Sequence, residues 1–295
     1  MQEIAPRVFV LDDYRGMVPG VIIREEGTIL VDSPPCPQDS RLWRARCRHM
    51  SNSAEMLLVY LDAHADRTLG ARMLETPVLA HEYTVQVFRN RAAIFRVQGS
   101  PRGEAWERCS QISNMRWAPP QMGISDRLEI YWGGDPVVIE HHPGPHPGAL
   151  WVIVPDHKVL FVGDAVTVHQ PPFFAHADLA QWLDAIDLLM APDYSDYLIV
   201  SSRDGLVPAA ALHRMRVFLL TAQERLEDLL AGAQPPQDTE ALALDLLAMW
   251  DFDREREPDI EAFYLARLRQ GLQRYLARRS HSGLSASHPK HAKDK

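Results

Sequence analysis

Two blocks of short apolar runs, each followed by a helical pattern, constrain the fold of this chain more than any other feature. Residues 56–61 read MLLVYL and residues 159–162 read VLFV, and turn residues separate such runs from one another. Continuous short apolar runs are typical of strands that are buried on both faces. From residue 208 onward, apolar residues recur mainly at helical spacing. The alternation predicts an α/β fold with four layers, in the order helix, sheet, sheet, helix.

The same pattern divides the chain into three parts. Residues 1–207 are predicted to form the αββα domain and residues 208–279 a C-terminal helical extension. Residues 280–295 are polar and basic without periodicity, which predicts a disordered tail. Residues 89–122 are irregular and rich in Pro, Arg and Trp, and long loops of this kind often cover a site. The C-terminal helices either cap such a site or form a dimer face.

Charge and hydropathy limit the partners of the chain. Lys and Arg number 31 against 39 Asp and Glu, so the net charge is −8. A duplex nucleic-acid binder usually has a basic surplus, so no nucleic-acid partner is expected. No apolar run approaches the roughly 20 residues of a membrane helix, so no membrane partner is expected either. A small-molecule substrate or ligand remains the expected partner, and a homodimer is left open.

The N-terminus and the cysteines bear on location. The start, MQEIAPRVFVLDD, lacks a basic flank and a long apolar stretch, which predicts that there is no signal peptide. Cys36, Cys47 and Cys109 form neither a disulfide framework nor a zinc-binding spacing. A cytoplasmic location is therefore predicted.

Polar residues that could carry chemistry follow two of the apolar runs. The segment 62–67 (DAHADR) comes directly after 56–61, and Asp164 follows 159–162. Between them in sequence lies the turn 141–148 (HHPGPHPG). Because functional side chains concentrate where strands end and loops begin, these segments are the candidate site.

In order and spacing, these segments resemble the metallo-β-lactamase-like hydrolase superfamily. The matching stretches lie within residues 5–208, and they are 28–32 (TILVD), 56–67, 77–82 (PVLAHE), 142–149, 159–164 (VLFVGD) and 197–205. The resemblance implies a four-layer αββα sandwich of the metallo-β-lactamase type. It also implies a site in which two cations activate a bridging hydroxide.

The first half of the family's ligand set is altered in this chain. The family has a His-x-His-x-Asp-His cluster, and His64 and Asp66 match it. Asp62 stands at the first His and Arg67 at the last. An arginine cannot ligate a metal, so one ligand position is lost outright.

The second half is altered as well. The family's Pro-Gly-His-Thr-Pro-Gly turn aligns with Pro145 at the ligand position, and His146 is its neighbour. Asp164 matches the bridging aspartate, whereas Asp204 stands in place of the final His. Crowded carboxylates raise one another's pKa unless a cation compensates them. Arg67 is therefore expected to substitute for the second cation.

Two functions remain open at this stage. One is a mononuclear metal-dependent hydrolase of a small ester or thioester, holding one divalent ion (Zn, Mn or Fe). Its candidate ligands are Asp62, His64, Asp66, His146, Asp164 and Asp204. Asp66 and Asp164 would be its catalytic carboxylates, and His142, His169 and His176 are further candidates for the pocket. The alternative is a non-catalytic member without metal, whose former metal pocket is filled by an Arg–carboxylate network and serves binding or assembly.

Overall fold

The computed structural model describes most of the chain. The described residues are 1–14, 16–51, 53–97, 102–110, 112, 114–231, 239–250, 252 and 259–286, with side chains described as far as residue 279. Residues 287–295, which belong to the predicted tail, lie outside this set.

The strands form two large sheets and one short ribbon. In chain order they are β1 (Gln2–Ala5), β2 (Val8–Val10), β3 (Gly20–Ile23), β4 (Thr28–Val31), β5 (Met56–Val59), β6 (Val78–His81), β7 (Ile94–Phe95), β8 (Met115–Arg116), β9 (Met122–Ile124), β10 (Arg127–Ile130), β11 (Val137–His141), β12 (Leu150–Val154), β13 (Val159–Gly163), β14 (Leu198–Ser201) and β15 (Gly205–Leu206). The first sheet has the order β1-β2-β3-β4-β5-β6-β9 and the second the order β10-β11-β12-β13-β14-β15. Strands β7 and β8 pair with each other.

Each sheet changes from antiparallel to parallel pairing partway across. In the first sheet β1 to β4 are antiparallel, whereas β4, β5, β6 and β9 run parallel. In the second sheet β10 to β13 are antiparallel, and β14 is parallel to β13. Parallel neighbours need a crossover connection, and helices supply it in both sheets.

The helices cover the outer faces of the sheets. They are α1 (Pro37–Met50), α2 (Ala65–Thr68), α3 (Glu82–Asn90), α4 (Leu179–Leu189), α5 (Ala209–Ala231), α6 (Thr239–Leu247) and α7 (Ile260–Ala286). Trp43 of α1 and Phe88 of α3 pack with Leu58 against the first sheet. Trp182 of α4 and Phe218 of α5 pack with other buried residues against the second sheet.

A third apolar cluster lies between the sheets. Ile29 and Val59 of the first sheet share it with Ile139, Val152 and Phe161 of the second, and all of these side chains are buried. The order is therefore helix, sheet, sheet, helix. The four-layer fold with a C-terminal helical part, predicted from the strand and helix pattern, is confirmed.

The C-terminal helices pack onto the domain. Buried residues of α5, α6 and α7 share one apolar cluster with α4 and the outer face of the second sheet. Helix α7 extends to Ala286, which corrects the prediction that disorder begins at residue 280. A formed helix adds residues at little cost, so a few polar positions can continue it without a packed face. No helix in the described part of the chain is long and apolar enough to cross a membrane.

A disulfide links two of the three cysteines. Cys36, at the start of α1, is bonded to Cys109, and the two Cα atoms are 5.5 Å apart. Cys47 is free and buried. The link corrects the expectation that the cysteines form no disulfide. Because the partners are 73 residues apart in sequence, only the folding of the intervening chain brings them together.

Candidate functional site

The carboxyl ends of the parallel strands bring the candidate residues to one place. Asp32 follows β4, the segment 62–67 follows β5, and Asp164 follows β13. Gly163 has a φ of +64°, a conformation that favours glycine, and it turns the chain at Asp164. Asp32 also has a positive φ of 60°. Its carboxylate accepts hydrogen bonds from the Leu61 N–H at 3.0 Å and the Ser202 hydroxyl at 2.7 Å, which hold this conformation.

Arg67 lies at the centre of these carboxylates. Its side chain is fully buried, with one terminal nitrogen donating to Asp164 and the other to Asp62. Its Nε lies 3.4 Å from Oδ2 of Asp32. A planar guanidinium suits such a fork between carboxylates. The predicted substitution of an arginine for a cation therefore has the required geometry.

A second buried arginine completes the cluster. Arg203 donates from Nε to Oδ1 of Asp164 at 2.8 Å and from Nη2 to Oδ2 of the same carboxylate at 3.1 Å. Its Nη1 donates to Asp66. Arg203 was not among the candidates predicted from the sequence. We refer to Asp62, Asp66, Arg67, Asp164 and Arg203 as the arginine–carboxylate cluster.

The electrostatics of the cluster keep its members charged. Burial alone would raise the pKa of each carboxyl, but the guanidinium groups outweigh it. Arg203 and Arg67 hold the pKa of Asp164 well below its usual value, and Arg67 lowers the pKa of Asp62. Against the opposing effect of burial, Arg203 lowers the pKa of Asp66 to about 2. Two guanidinium cations thus balance most of the charge of three ionised carboxylates.

His64 borders the cluster as a neutral ring. Its Nδ1 accepts a hydrogen bond from the Asp66 N–H at 3.3 Å, and Nη2 of Arg203 lies 3.3 Å from the same atom. Burial, together with the charge of Arg203, lowers the pKa of His64 to about 4. The edge of the ring meets Phe173, with the ring centroids 5.5 Å apart.

Several predicted residues lie elsewhere, which corrects their assignment to the site. Asp204 accepts hydrogen bonds from the N–H groups of Val168 at 2.7 Å and His169 at 3.3 Å, so it closes a loop instead of joining the cluster. The His169 side chain is exposed. His142 stacks on Trp151 on the outer side of the second sheet, with ring centroids 3.8 Å apart. Neighbouring residues of a turn point in different directions, and residue type alone does not reveal which one faces inward.

His146 and His176 line the pocket beside the cluster. His146 is buried, its Nδ1 accepts the Gly148 N–H at 3.1 Å, and burial lowers its pKa to about 4. The rings of His146 and His176 meet edge to face at 5.4 Å. His176 is exposed at the rim. His146, and not its neighbour Pro145, therefore borders this pocket.

One set of potential metal ligands is present among the described residues. His64, Asp66 and Glu104 each offer an atom, and these atoms lie within 4.8 Å of one another. However, Arg203 donates to Asp66 and approaches His64, and the Trp106 indole N–H donates to Glu104. The carboxylates expected at a two-metal centre are likewise taken up by guanidinium groups. The side chains present do not fit a two-metal centre.

Glu104 and Trp106 were not predicted either. Burial and the nearby charge of Asp66 raise the pKa of Glu104 to about 7. The backbone N–H of Trp106 donates to Asp66 at 2.8 Å. Both belong to the 89–122 insertion, which does border the site, as its irregular sequence predicted.

A pocket of about 660 Å³ opens next to the cluster. Its walls come from the loop after β5, from α3, from the insertion and from α7. This volume is within the range of small-molecule sites. His64 and Glu104 belong to both the pocket and the border of the cluster.

Helix α7 closes one side of this pocket. Arg267 is buried and donates from Nε to the Gly103 carbonyl at 2.7 Å. Gly103 has a φ of +70°, and a Cβ there would lie 2.2 Å from the Phe263 carbonyl oxygen. Only glycine allows so close an approach of the insertion to the helix. Of the two roles left open for the C-terminal helices, the structure places α7 against the pocket.

Known proteins share this architecture. A family model described as the metallo-β-lactamase superfamily matches residues 63–201. No curated protein matches the chain.

Solved structures of metallo-β-lactamases superpose on most of the chain. The crystal structure of DIM-1 metallo-β-lactamase is 16% identical with a TM-score of 0.57, and the match covers 75% of this chain and 96% of that one. A metallo-β-lactamase from Pontibacter korlensis is 18% identical with a TM-score of 0.55, covering 74% of this chain and 97% of that one. TMB-1 is 14% identical with a TM-score of 0.56, covering 75% of this chain and 97% of that one. At this identity the likeness is one of fold.

Proposed function

Because the chain is a member of the metallo-β-lactamase superfamily, we propose that it keeps the fold and has given up the two-metal centre. In this proposal it is a non-catalytic protein that binds a small molecule beside the arginine–carboxylate cluster. The observation that carries the proposal is the pair of buried guanidinium groups, Arg67 and Arg203, which together contact all three carboxylates of the cluster.

The positive charge of Arg67 and Arg203 makes the arginine–carboxylate cluster a substitute for bound metal. A divalent ion among these carboxylates would lie next to two cations that are already buried. Like charges at such distances repel strongly where little water screens them. Conversely, without the guanidinium groups the carboxylates would be buried and unpaired, which costs several kcal/mol per ion. The cluster is therefore complete without metal.

Metal content tests the proposal directly. The protein is purified without chelators and its metals are measured by mass spectrometry, with Tm recorded before and after EDTA. We expect less than about 0.1 ion per chain and an unchanged Tm, since metal binding would otherwise contribute to folding stability. One tightly held ion per chain, with a Tm that falls on chelation, would overturn the proposal.

A second candidate is hydrolysis of a small ester or thioester that depends on one divalent ion. The observation that favours it is the group of ligand atoms on His64, Asp66 and Glu104. This candidate requires Arg203 to release Asp66. The same metal measurement on Glu104→Gln distinguishes the two candidates. An ion that is bound by the wild type and lost in Glu104→Gln would support the hydrolase.

A further inference from the structure

Several arginines line the pocket beside the cluster. Arg102 and Arg274 both line it, and within the described part of the chain neither forms an ion pair. Of the two acids in the same segment, Glu107 accepts the backbone N–H groups of Arg102 at 2.6 Å and Gly103 at 3.1 Å. Glu104 acts electrostatically on both arginines, but its hydrogen bond comes from the Trp106 indole N–H. The two guanidinium groups therefore share the influence of one carboxylate, and neither forms an ion pair with it.

The two arginines also act on each other. Burial and the charge of Arg102 lower the pKa of Arg274, and the charge of Glu104 opposes this shift. Two cations that line one pocket repel, and an anion between them would offset that repulsion. Arg91 and Arg96 add to the positive lining, against Glu104 as the acidic residue among the described lining groups. This concentration of positive charge is local, because the chain as a whole carries −8.

An arginine stacked on a tryptophan belongs to the same lining. Nη1 of Arg91 and Nε1 of Trp117 are buried and have no acceptor. The Arg91 guanidinium lies over the Trp117 ring, 4.3 Å from its centroid, so both donors belong to one part of the pocket. This stacked pair places a positive charge beside an aromatic face in the lining of the pocket.

The remaining lining is apolar. Phe95, Trp106 and Phe173 contribute aromatic surface, and Val87 and Ile94 contribute aliphatic surface. A pocket with apolar walls and a few polar groups that fix orientation is the usual form of a small-molecule site.

We propose that this pocket binds a small organic anion, with a carboxylate or phosphate head between Arg102 and Arg274 and an apolar body against the aromatic wall. The inference rests on the proposed binding function and names its ligand class. Arginine recognises both head groups through two parallel N–H donors, so the head group alone does not decide between them.

Binding of small probes to the whole protein tests the inference. Phenylacetate, octanoate and phenyl phosphate provide anions with apolar bodies, and phenylacetamide is the neutral match of phenylacetate. Binding is followed by calorimetry and by the fluorescence of the tryptophans in the pocket. We expect at least one anion to bind while phenylacetamide does not. A preference for phenyl phosphate over phenylacetate would identify a phosphate head, and the reverse a carboxylate.

Variants locate the head group. Arg274→Gln and Arg102→Gln are each expected to raise the Kd of the anion about tenfold, as loss of a charged hydrogen bond does. Arg269→Gln is the matched control, because Arg269 lies on the same helix but pairs with Glu240 at 3.1 Å on the surface. It should leave the Kd unchanged. Two pocket variants are used so that a folding defect in one does not decide the outcome.

Three outcomes would overturn the inference. They are equal binding of phenylacetamide and phenylacetate, wild-type affinity in both pocket variants, and no binding by any of the anions. Metal content measured on the same preparation separates this failure from failure of the proposed function. Metal-free protein that binds no anion refutes only the ligand class. Anion binding that EDTA abolishes means that a metal holds the head group, and both proposals then fail.

Discussion

Two groups of arginines lie next to each other in this molecule and differ in what they contact. Arg67 and Arg203 are buried and each bonds two carboxylates of the arginine–carboxylate cluster. Arg102 and Arg274 line the neighbouring pocket and form no ion pair with the described residues. The first pair neutralises the carboxylates around it, whereas the charge of the second pair remains available to a ligand. The same residue type therefore fills the former metal site and lines the neighbouring pocket.

The difference has an energetic basis. A buried ion pair adds little net stability, because desolvation offsets the attraction, but removal of one partner leaves a buried charge alone. A partly exposed arginine without a partner is solvated and costs little. The cluster should therefore respond strongly to substitution, and the pocket arginines weakly.

The largest effect is expected from Arg67→Met. This change keeps most of the volume but removes the cation that Asp62 contacts and leaves Asp164 with Arg203 alone. Loss of one partner of a buried pair lowers the free energy of unfolding by about 3–5 kcal/mol. In a domain of this size that corresponds to a fall in Tm on the order of 10 °C.

Chemical and thermal denaturation measure this effect. Arg216→Met is the matched control, since Arg216 pairs with Asp187 at 2.6 Å where both side chains are exposed. Loss of this surface ion pair should lower the free energy of unfolding by less than about 1 kcal/mol. Equal stability of the two variants would mean that Arg67 contributes no more to the fold than a surface ion pair does.

An intermediate effect is expected from Glu104→Gln, at the boundary between cluster and pocket. Burial raises the pKa of Glu104 from 4.5 to about 7. Between these pH values the folded chain holds a proton that the unfolded chain has lost. The contribution of Glu104 to stability is therefore complete below pH 4.5 and is lost as pH rises towards 7.

Unfolding of both proteins at pH 5 and pH 8 checks this sign. Relative to wild type, Glu104→Gln should gain on the order of 2 kcal/mol in free energy of unfolding between the two pH values. Glu240→Gln, on an exposed surface, should follow the wild type. A carboxylate that is already ionised at pH 5, as a metal ligand would be, gives no such gain.

The smallest effect on stability is expected from Arg274→Gln. Arg274 forms no ion pair with the described residues, and the repulsion from Arg102 opposes the attraction to Glu104, so its charge contributes little to the fold. The free energy of unfolding should change by less than about 0.5 kcal/mol, as for most surface substitutions. A loss as large as that of Arg67→Met would place Arg274 in a structural network and erase the contrast between the two groups.

Much of the fold was predictable because its signals are local. The run 56–61 contains β5, and Asp178, a residue type that favours N-cap positions, accepts a hydrogen bond from the Gln181 N–H at 3.1 Å at the start of α4. Periodicity and capping act within a few residues of the chain, so they can be recognised without tertiary contacts. A role for Arg67 as a cation among the carboxylates of the site was predicted from the segment 62–67, but its pairing with Asp62 was not.

The rest of the site depends on information that the motifs do not hold. Arg203 was missed because the final family segment was aligned on Asp204, and a shift of one residue in a turn reverses which side chain faces inward. Charge balance offered a signal, since several crowded carboxylates beside Arg67 alone require a second cation. Glu104 had no such signal. It reaches the site through contacts that the insertion makes with α7, far along the chain.

The Cys36–Cys109 disulfide makes the pocket sensitive to the redox state of the compartment. The bond fastens the insertion, which carries Glu104 and Trp106, to the start of α1. Glutathione keeps such cysteines reduced in the cytosol, whereas oxidising compartments preserve the disulfide. Inside a reducing cell the insertion would be held only by its hydrogen bonds and packing, and ordering it would draw on the energy of ligand binding. The redox state of the compartment would then set how tightly the same chain holds its ligand.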